Sequence, residues 1–203
     1  MADTAALYLA HLNPLTNAHE AIVSKLMSEG YHVYVFPVRF FNQEREVNTK
    51  SFPFPYQLRK QMVESIFGND VTVLPDYTFY APYSKYLPPI VSSKSWQLRN
   101  EITAKVSERR FVSYTGDAAE RLMLKIYQLN PLRASRLEIS ASSVKDLLYR
   151  QVLGGLKDDW KDKVPTTVGE LIRKNWNIVE KFAGEEDSTT RVMGMKFPRD
   201  GYK

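Results

Sequence analysis

The chain has 203 residues, 43% hydrophobic and 25% charged, and no cysteine. That length suits one α/β domain with a full core and a small appendage, the missing cysteines exclude disulfides and thiolate metal sites, and no run approaches the ~20 apolar residues of a membrane span. The 28 Lys and Arg outnumber the 23 Asp and Glu, for a net charge of +5, yet they are scattered, without a cationic block or an interleaved aromatic ladder. Nucleic acid is therefore not the expected partner, and a pocket for polyphosphate accounts for the same excess. The N-terminus has no basic region, and His11 breaks its apolar run. It reads as a strand and not as a signal peptide, and the expected location is cytoplasmic.

In chain order, Ala5 to Ala10 forms a first buried strand. A polar turn through Asn13-Pro14 and Thr16-Asn17 follows, and then a helix from Ala18 to Ser28 with Ile22, Val23, Leu26 and Met27 at helical spacing, closed by Gly30. Tyr31 to Val38, β-branched and aromatic, is a second strand. Strand, helix and strand make a βαβ unit, hence a parallel sheet with a right-handed crossover. A strand that ends in a polar turn and enters a helix at once aims backbone N–H groups and a positive helix end at an anion. Residues 39–55 read as a polar, basic loop holding Arg39, Arg45 and Lys50, at the carboxyl end of strand two and on the same rim as His19.

Pro55 opens a helix over Tyr56 to Phe67, and Val71 to Pro75 is a third strand. Asp76 to Lys94 reads as a long loop rich in aromatics, including Tyr80 and Tyr83. Such loops are functional or bind something, and these rings suit stacking on a base, closure over a second substrate or a subunit contact that makes a homo-oligomer. A helix capped by Ser95, with Trp96, Ile102 and Val106 inward, leads to a fourth strand at Phe111 to Tyr114. The turn Thr115-Gly116-Asp117 repeats the logic of the first, and a helix over Ala118 to Leu129 follows. Ile139-Ser140-Ala141-Ser142-Ser143-Val144-Lys145 then offers hydroxyls and free N–H groups at a helix start with a cation one turn in. Beyond Val164-Pro165 a single helix runs through Phe182, and Gly184 to Lys203, with mixed charge and few core residues, reads as a loosely held tail.

Two of these stretches resemble the nucleotidyltransferase superfamily with (H/T)xGH and ISSxxxR/K motifs. Pro14-Leu15-Thr16-Asn17-Ala18-His19 is similar to the first loop of phosphopantetheine adenylyltransferases, departing at Ala18, which fits only if that residue is helical. Ile139 to Lys145 matches the second motif except at Ala141. The resemblance implies an α/β, Rossmann-like doubly wound parallel sheet with a C-terminal helical extension: a nucleotidyltransferase domain over 1–165, a packed helix over 166–183 and the tail over 184–203. It implies a nucleotidyltransferase that moves adenylate from ATP, with Mg²⁺, to a phosphorylated small-molecule acceptor and releases pyrophosphate. Positioning and charge stabilisation replace a covalent intermediate.

In that scheme His19, Thr16 and Lys50 are catalytic. His11, Asn13, His19, Gly116, Asp117, Ile139, Ser140, Ser142, Ser143 and Lys145 bind nucleotide, and Arg39, Lys50, Tyr80 and Tyr83 bind the acceptor, with no protein metal ligand. The Thr115-Gly116-Asp117 turn, the Trp160 to Pro165 segment and the aromatic loop incline the acceptor to nicotinamide mononucleotide. A phosphopantetheine acceptor, a cytidylyltransferase and a non-catalytic nucleotide-binding protein are the alternatives.

Overall fold

The computed structural model describes residues 3–115, 118–132, 140–155, 159–192 and 195–202. The elements in order are β1 (Thr4–Ala10), α1 (Asn17–Ser28), β2 (His32–Pro37), β3 (Arg39–Asn42), β4 (Arg45–Glu46), α2 (Tyr56–Phe67), β5 (Val71–Val73) and β6 (Thr78–Tyr80). They continue with α3 (Ser93–Thr103), β7 (Arg110–Ser113), α4 (Ala118–Ile126), α5 (Ala141–Val152), α6 (Thr166–Lys174), α7 (Trp176–Ala183), β8 (Thr189–Val192) and β9 (Met195–Pro198).

The main sheet has the order β5-β2-β1-β7, every pair parallel. Its central strands are apolar beyond Thr4 and His32 at their starts because both faces are covered, and their alternate residues go to opposite cores. Ala6 and Tyr8 of β1, with Val33 and Val35 of β2, meet Val23, Met62, Val144, Val168 and Val179 of the helices on one face. Ala5, Leu7 and Leu9, with Tyr34 and Phe36, meet Leu98, Ile102 and Phe79 on the other. This is the expected doubly wound arrangement. It sets the carboxyl ends of β1, β2, β5 and β7 along one rim.

Residues 39–55, expected to be a loop, carry strands instead. Phe41 and Asn42 of β3 pair antiparallel with Glu46 and Arg45 of β4, and β6 pairs parallel with β3, making a second sheet of order β4-β3-β6. The polar count of this stretch hid an apolar series, Phe40, Val47 and Phe52, all of which are buried. The aromatic segment is likewise structured and faces its own domain. Phe79, Tyr83 and Tyr86 are buried, and Phe40 packs against Phe79, Tyr83 and Phe197 at ring separations of 5.5, 5.5 and 5.8 Å. Tyr83 is fully enclosed, so it has no surface to offer an acceptor and its expected role is withdrawn. Tyr80, 49% exposed, keeps a free face.

Three further boundaries differ from expectation. Ser92, not Ser95, caps α3 by accepting from the Ser95 N–H, and Trp96 is only half-buried, its indole donating to the Ile90 carbonyl. The single helix expected after Pro165 breaks at Asn175, whose side-chain amide and backbone N–H both donate to the Leu171 carbonyl at the end of the preceding helix. The tail is not loose: β8 and β9 pair antiparallel in a hairpin, and the Phe197 side chain, 1% exposed, enters the aromatic core. The Tyr83 N–H donates to the Gly201 carbonyl, fastening the chain end to the aromatic segment. The alternation of Met195 and Phe197 with Lys196 was the signal.

If the hairpin is integral, Phe197→Ala should lower unfolding free energy by ~3–5 kcal/mol, the usual cost of emptying a buried aromatic site. Urea denaturation measures this, and a loss under ~1 kcal/mol would mean that the hairpin contributes little to the core.

Candidate active site

The first motif folds as its residues dictate. Thr16 takes an extended backbone as N-cap of α1, and His19 is the third helical residue. The Thr16 N–H donates to His19 Nδ1 at 3.0 Å, and the Thr16 hydroxyl lies 3.1 Å from the same nitrogen. A backbone N–H can only donate, so Nδ1 is unprotonated and the proton of the neutral ring is on Nε2. Burial, then the nearby Lys145 charge, lowers the His19 pKa to about 4, which keeps the ring neutral at pH 7. Among the described residues Nε2 has no hydrogen-bond partner. Thr16 thus positions His19; its hydroxyl is engaged with the ring. Ala18 lies within the first turn of α1, where a β-carbon is tolerated, as expected.

Asn13 is buried and bonds the strand-two loop on both sides, its amide donating to the Phe54 carbonyl at 2.9 Å and its oxygen accepting from the Phe54 N–H at 3.1 Å. Its side chain is therefore a structural clamp, which corrects its assignment to the nucleotide. Arg59, in the first turn of α2, is buried and donates to the carbonyls of His11 and Val38, each at 2.8 Å, and to Glu46 at 3.1 Å. One guanidinium thereby joins the ends of β1 and β2. Glu46 in turn accepts from the Tyr56 N–H, capping α2 with a carboxylate. The pair was not singled out in the sequence, where only the position of Arg59 after Pro55 hinted at it. His11 stacks on Phe52 with ring centroids 4.5 Å apart and planes 6° off parallel. Its outer edge is open, but enclosure by surrounding protein, then Arg59, Lys145 and Lys196, lowers its pKa.

The second motif begins with Ser140 as N-cap of α5, accepting from the Ser143 N–H at 3.2 Å, while the Ser143 hydroxyl donates to the Ser140 carbonyl at 2.7 Å. Ser140 and Ser143 shape the helix start, and the exposed Ser142 stands beyond them. Lys145 is 8% exposed and donates to the Asn13 carbonyl at 2.8 Å and the Ala141 carbonyl at 3.3 Å. No carboxylate of the described residues forms an ion pair with it. Burial, then Lys196, lowers its pKa to about 8. A cleft of about 220 Å³ opens beside it, lined by Lys50, Ser51, Ser142, Lys145, Asp146, Tyr149, Asp187 and Lys196.

Of the other expected residues, Lys50 is at this cleft and Arg39 is held elsewhere on the protein. Lys50 lines the cleft and also closes the carboxyl end of α7, donating to the Ala183 and Glu185 carbonyls at 2.9 and 2.8 Å. Arg39 donates through Nε to the Pro75 carbonyl and the Thr78 hydroxyl and lies over the Phe41 and Tyr56 rings. Gly116, Asp117 and Ile139 lie outside the described residues. Ser51, Asp187 and Lys196 were not anticipated, because nothing in the sequence ties a C-terminal hairpin to position 51.

No protein-family model and no curated protein matches the sequence, but solved structures do. A bifunctional NMN adenylyltransferase/ADP ribose pyrophosphatase from Francisella tularensis superposes with a TM-score of 0.64 at 15% identity, over 90% of this chain and 53% of that one. The chain has the fold of mononucleotide adenylyltransferases. The same Francisella protein complexed with AMP and an Mn ion gives 0.62 at 14% identity, over 91% and 53%. Plasmodium falciparum nicotinic acid mononucleotide adenylyltransferase complexed with NaAD gives 0.52 at 14%, over 88% and 98%. This chain thus spans about half the length of the Francisella structures and nearly the whole of the Plasmodium one. Among the described residues no helix is long and apolar enough to cross a membrane.

Two measurements follow from this geometry. Glu46→Ala leaves the Arg59 guanidinium buried without its carboxylate, and should cost ~3–5 kcal/mol of stability in urea; a loss below ~1 kcal/mol would show that the two carbonyl partners suffice. Lys145 loses its charge as pH rises through about 8. An anion binds the protonated ammonium, so calorimetric affinity for inorganic pyrophosphate should be level near neutrality and fall as pH climbs past about 8, whereas in Lys145→Arg it should stay level. A fall in Lys145→Arg as steep as in the wild type would assign the titration to another group.

Proposed function

We propose that this chain transfers adenylate from ATP to the phosphate of a mononucleotide, with nicotinamide mononucleotide or its nicotinate counterpart as acceptor, and releases pyrophosphate. The single observation that carries the reading is the neutral His19, locked through Nδ1 so that Nε2–H is a donor, on the same rim as the buried Lys145. The fold shared with mononucleotide adenylyltransferases supports the choice of reaction class.

The acceptor phosphate attacks the α-phosphorus in line, and the bond to the bridging oxygen breaks as pyrophosphate leaves. Negative charge grows on that bridging oxygen, and a fixed neutral donor stabilises it without reorganising. His19 Nε2–H is the donor. Lys145 and the exposed Ser142 take the β,γ-phosphates, and Lys50 adds charge to the wall of the cleft. Arg39 and the open face of Tyr80 lie on the side of the acceptor. A neutral histidine suits this role, since an imidazolium would attract the ground-state phosphates as strongly as the transition state.

Among the described residues no group of three or more His, Asp or Glu could hold a metal ion. In this reading Mg²⁺ would belong to the substrate, carried in on ATP by phosphate oxygens and water, and there it would screen the triphosphate charge.

Pyrophosphate release from ATP with nicotinamide mononucleotide, nicotinate mononucleotide and phosphopantetheine tests the assignment directly. His19→Ala should lower kcat by ~10²–10³-fold with ATP affinity within a few-fold, the effect of removing one donor from developing charge. An unchanged kcat would remove His19 from the chemistry, and turnover with phosphopantetheine alone would reassign the acceptor.

A further inference from the structure

We infer that Lys196, brought by the C-terminal hairpin to the cleft beside Lys145, is a phosphate-binding residue for the pyrophosphate end of the nucleotide, held in place by Ser51 and Asp187. The inference takes the identity of its anion from the adenylyltransfer reading; the cleft and its charges stand independently of it.

Strand alternation explains how Lys196 arrives there. Its neighbour Phe197 points into the aromatic core, so Lys196 points to the opposite face, toward the residues that follow β4. Its ammonium donates to the Ser51 hydroxyl at 2.9 Å and lies 3.6 Å from Asp187. Asp187 in turn accepts from the Ser51 hydroxyl at 2.7 Å, the Ser51 N–H at 3.2 Å and the Thr189 hydroxyl at 2.9 Å. Burial pushes its carboxyl up, but these hydrogen bonds and Lys196 outweigh that and hold it below its usual value, so it remains charged.

A role for Lys196 in fastening the hairpin is a poor account of this arrangement. A half-exposed pair at 3.6 Å contributes little, and the hairpin is already held by Phe197, by the Tyr83 to Gly201 backbone bond and by Arg199 donating to the Thr189 carbonyl. Lys145 has no ion-paired carboxylate and feels Asp146 and Asp187 only at longer range, so Lys196 beside it still lowers its pKa, and an anion between the two cations relieves that repulsion. The cleft, at about 220 Å³, is below the ~300–1,000 Å³ that enclose a drug-sized ligand, so it takes the phosphates and leaves base and ribose outside. Ser142 and Lys145, from the second motif, line it too, which selects the pyrophosphate end over the acceptor phosphate.

The test is calorimetric titration of the whole chain with inorganic pyrophosphate and, separately, with AMP and nicotinamide mononucleotide, in the wild type, Lys196→Gln and Lys196→Arg. Lys196 is exposed enough that both variants should fold, and thermal melting confirms it. Lys196→Gln should weaken pyrophosphate roughly tenfold to a hundredfold, as expected for a lost charge-assisted hydrogen bond, while Lys196→Arg stays within a few-fold and the mononucleotides are unaffected. Unchanged pyrophosphate affinity in Lys196→Gln overturns the inference, as does no pyrophosphate binding by the wild type. Equal losses in both variants would make the residue structural, and a matching loss for AMP or nicotinamide mononucleotide would place it at another phosphate; each also overturns it. Should Lys196→Gln weaken pyrophosphate while the wild type releases none from ATP and any acceptor, the anion site stands and the adenylyltransfer reading fails.

Discussion

The site depends on one buried hydrogen bond between distant parts of the chain. Lys145 donates to the Asn13 carbonyl across 132 positions, and a cation with no ion-paired carboxylate is buried at a cost that such contacts help to offset. The bond fixes the start of α5 against the loop after β1, so the two motifs become one surface. Asn13 carries the same rigidity onward through its paired bonds with Phe54, and Arg59 through the carbonyls of His11 and Val38. Three loops at the carboxyl rim of the sheet are therefore held by Lys145, Asn13 and Arg59, of which Asn13 and Arg59 spend their polar groups on the protein while Lys145 also lines the cleft.

That division of labour shapes the electrostatics. Burial drives His19 neutral and keeps Lys145 close to the edge of its protonated range, while Lys50 and Lys196 add charge at the wall of the cleft. A neutral donor next to clustered cations matches a reaction in which the substrate is already highly charged and only a small redistribution of charge marks the transition state. Asp146 and Asp187 are the carboxylates that line the cleft, and Asp187 is tied by hydrogen bonds to the hydroxyls of Ser51 and Thr189.

The second sheet and the C-terminal hairpin form a support on the other face. Phe40, Phe79, Tyr83 and Phe197 interlock there, and the chain's last residues are fastened to the aromatic segment. An aromatic cluster of this size gives the hairpin a fixed attitude, which places Lys196 and Asp187 with a precision that a mobile tail lacks.

What the sequence determined by itself was local. Apolar runs with alternating helices specified the parallel βαβ layers, and Thr16 and Ser140 were legible as helix starts because a helix start imposes its own spacing on capping groups. The tertiary structure alone decided which polar groups face the cleft and which face the protein. Asn13 and Thr16 turned inward because buried backbone groups demand partners, Tyr83 because its ring filled a core that Phe40 and Phe197 had formed, and Lys196 reached the cleft through a hairpin held by Phe197 and by the Tyr83 to Gly201 backbone bond. Each of those outcomes is a contact between residues far apart in the chain, and periodicity carries no information about such contacts.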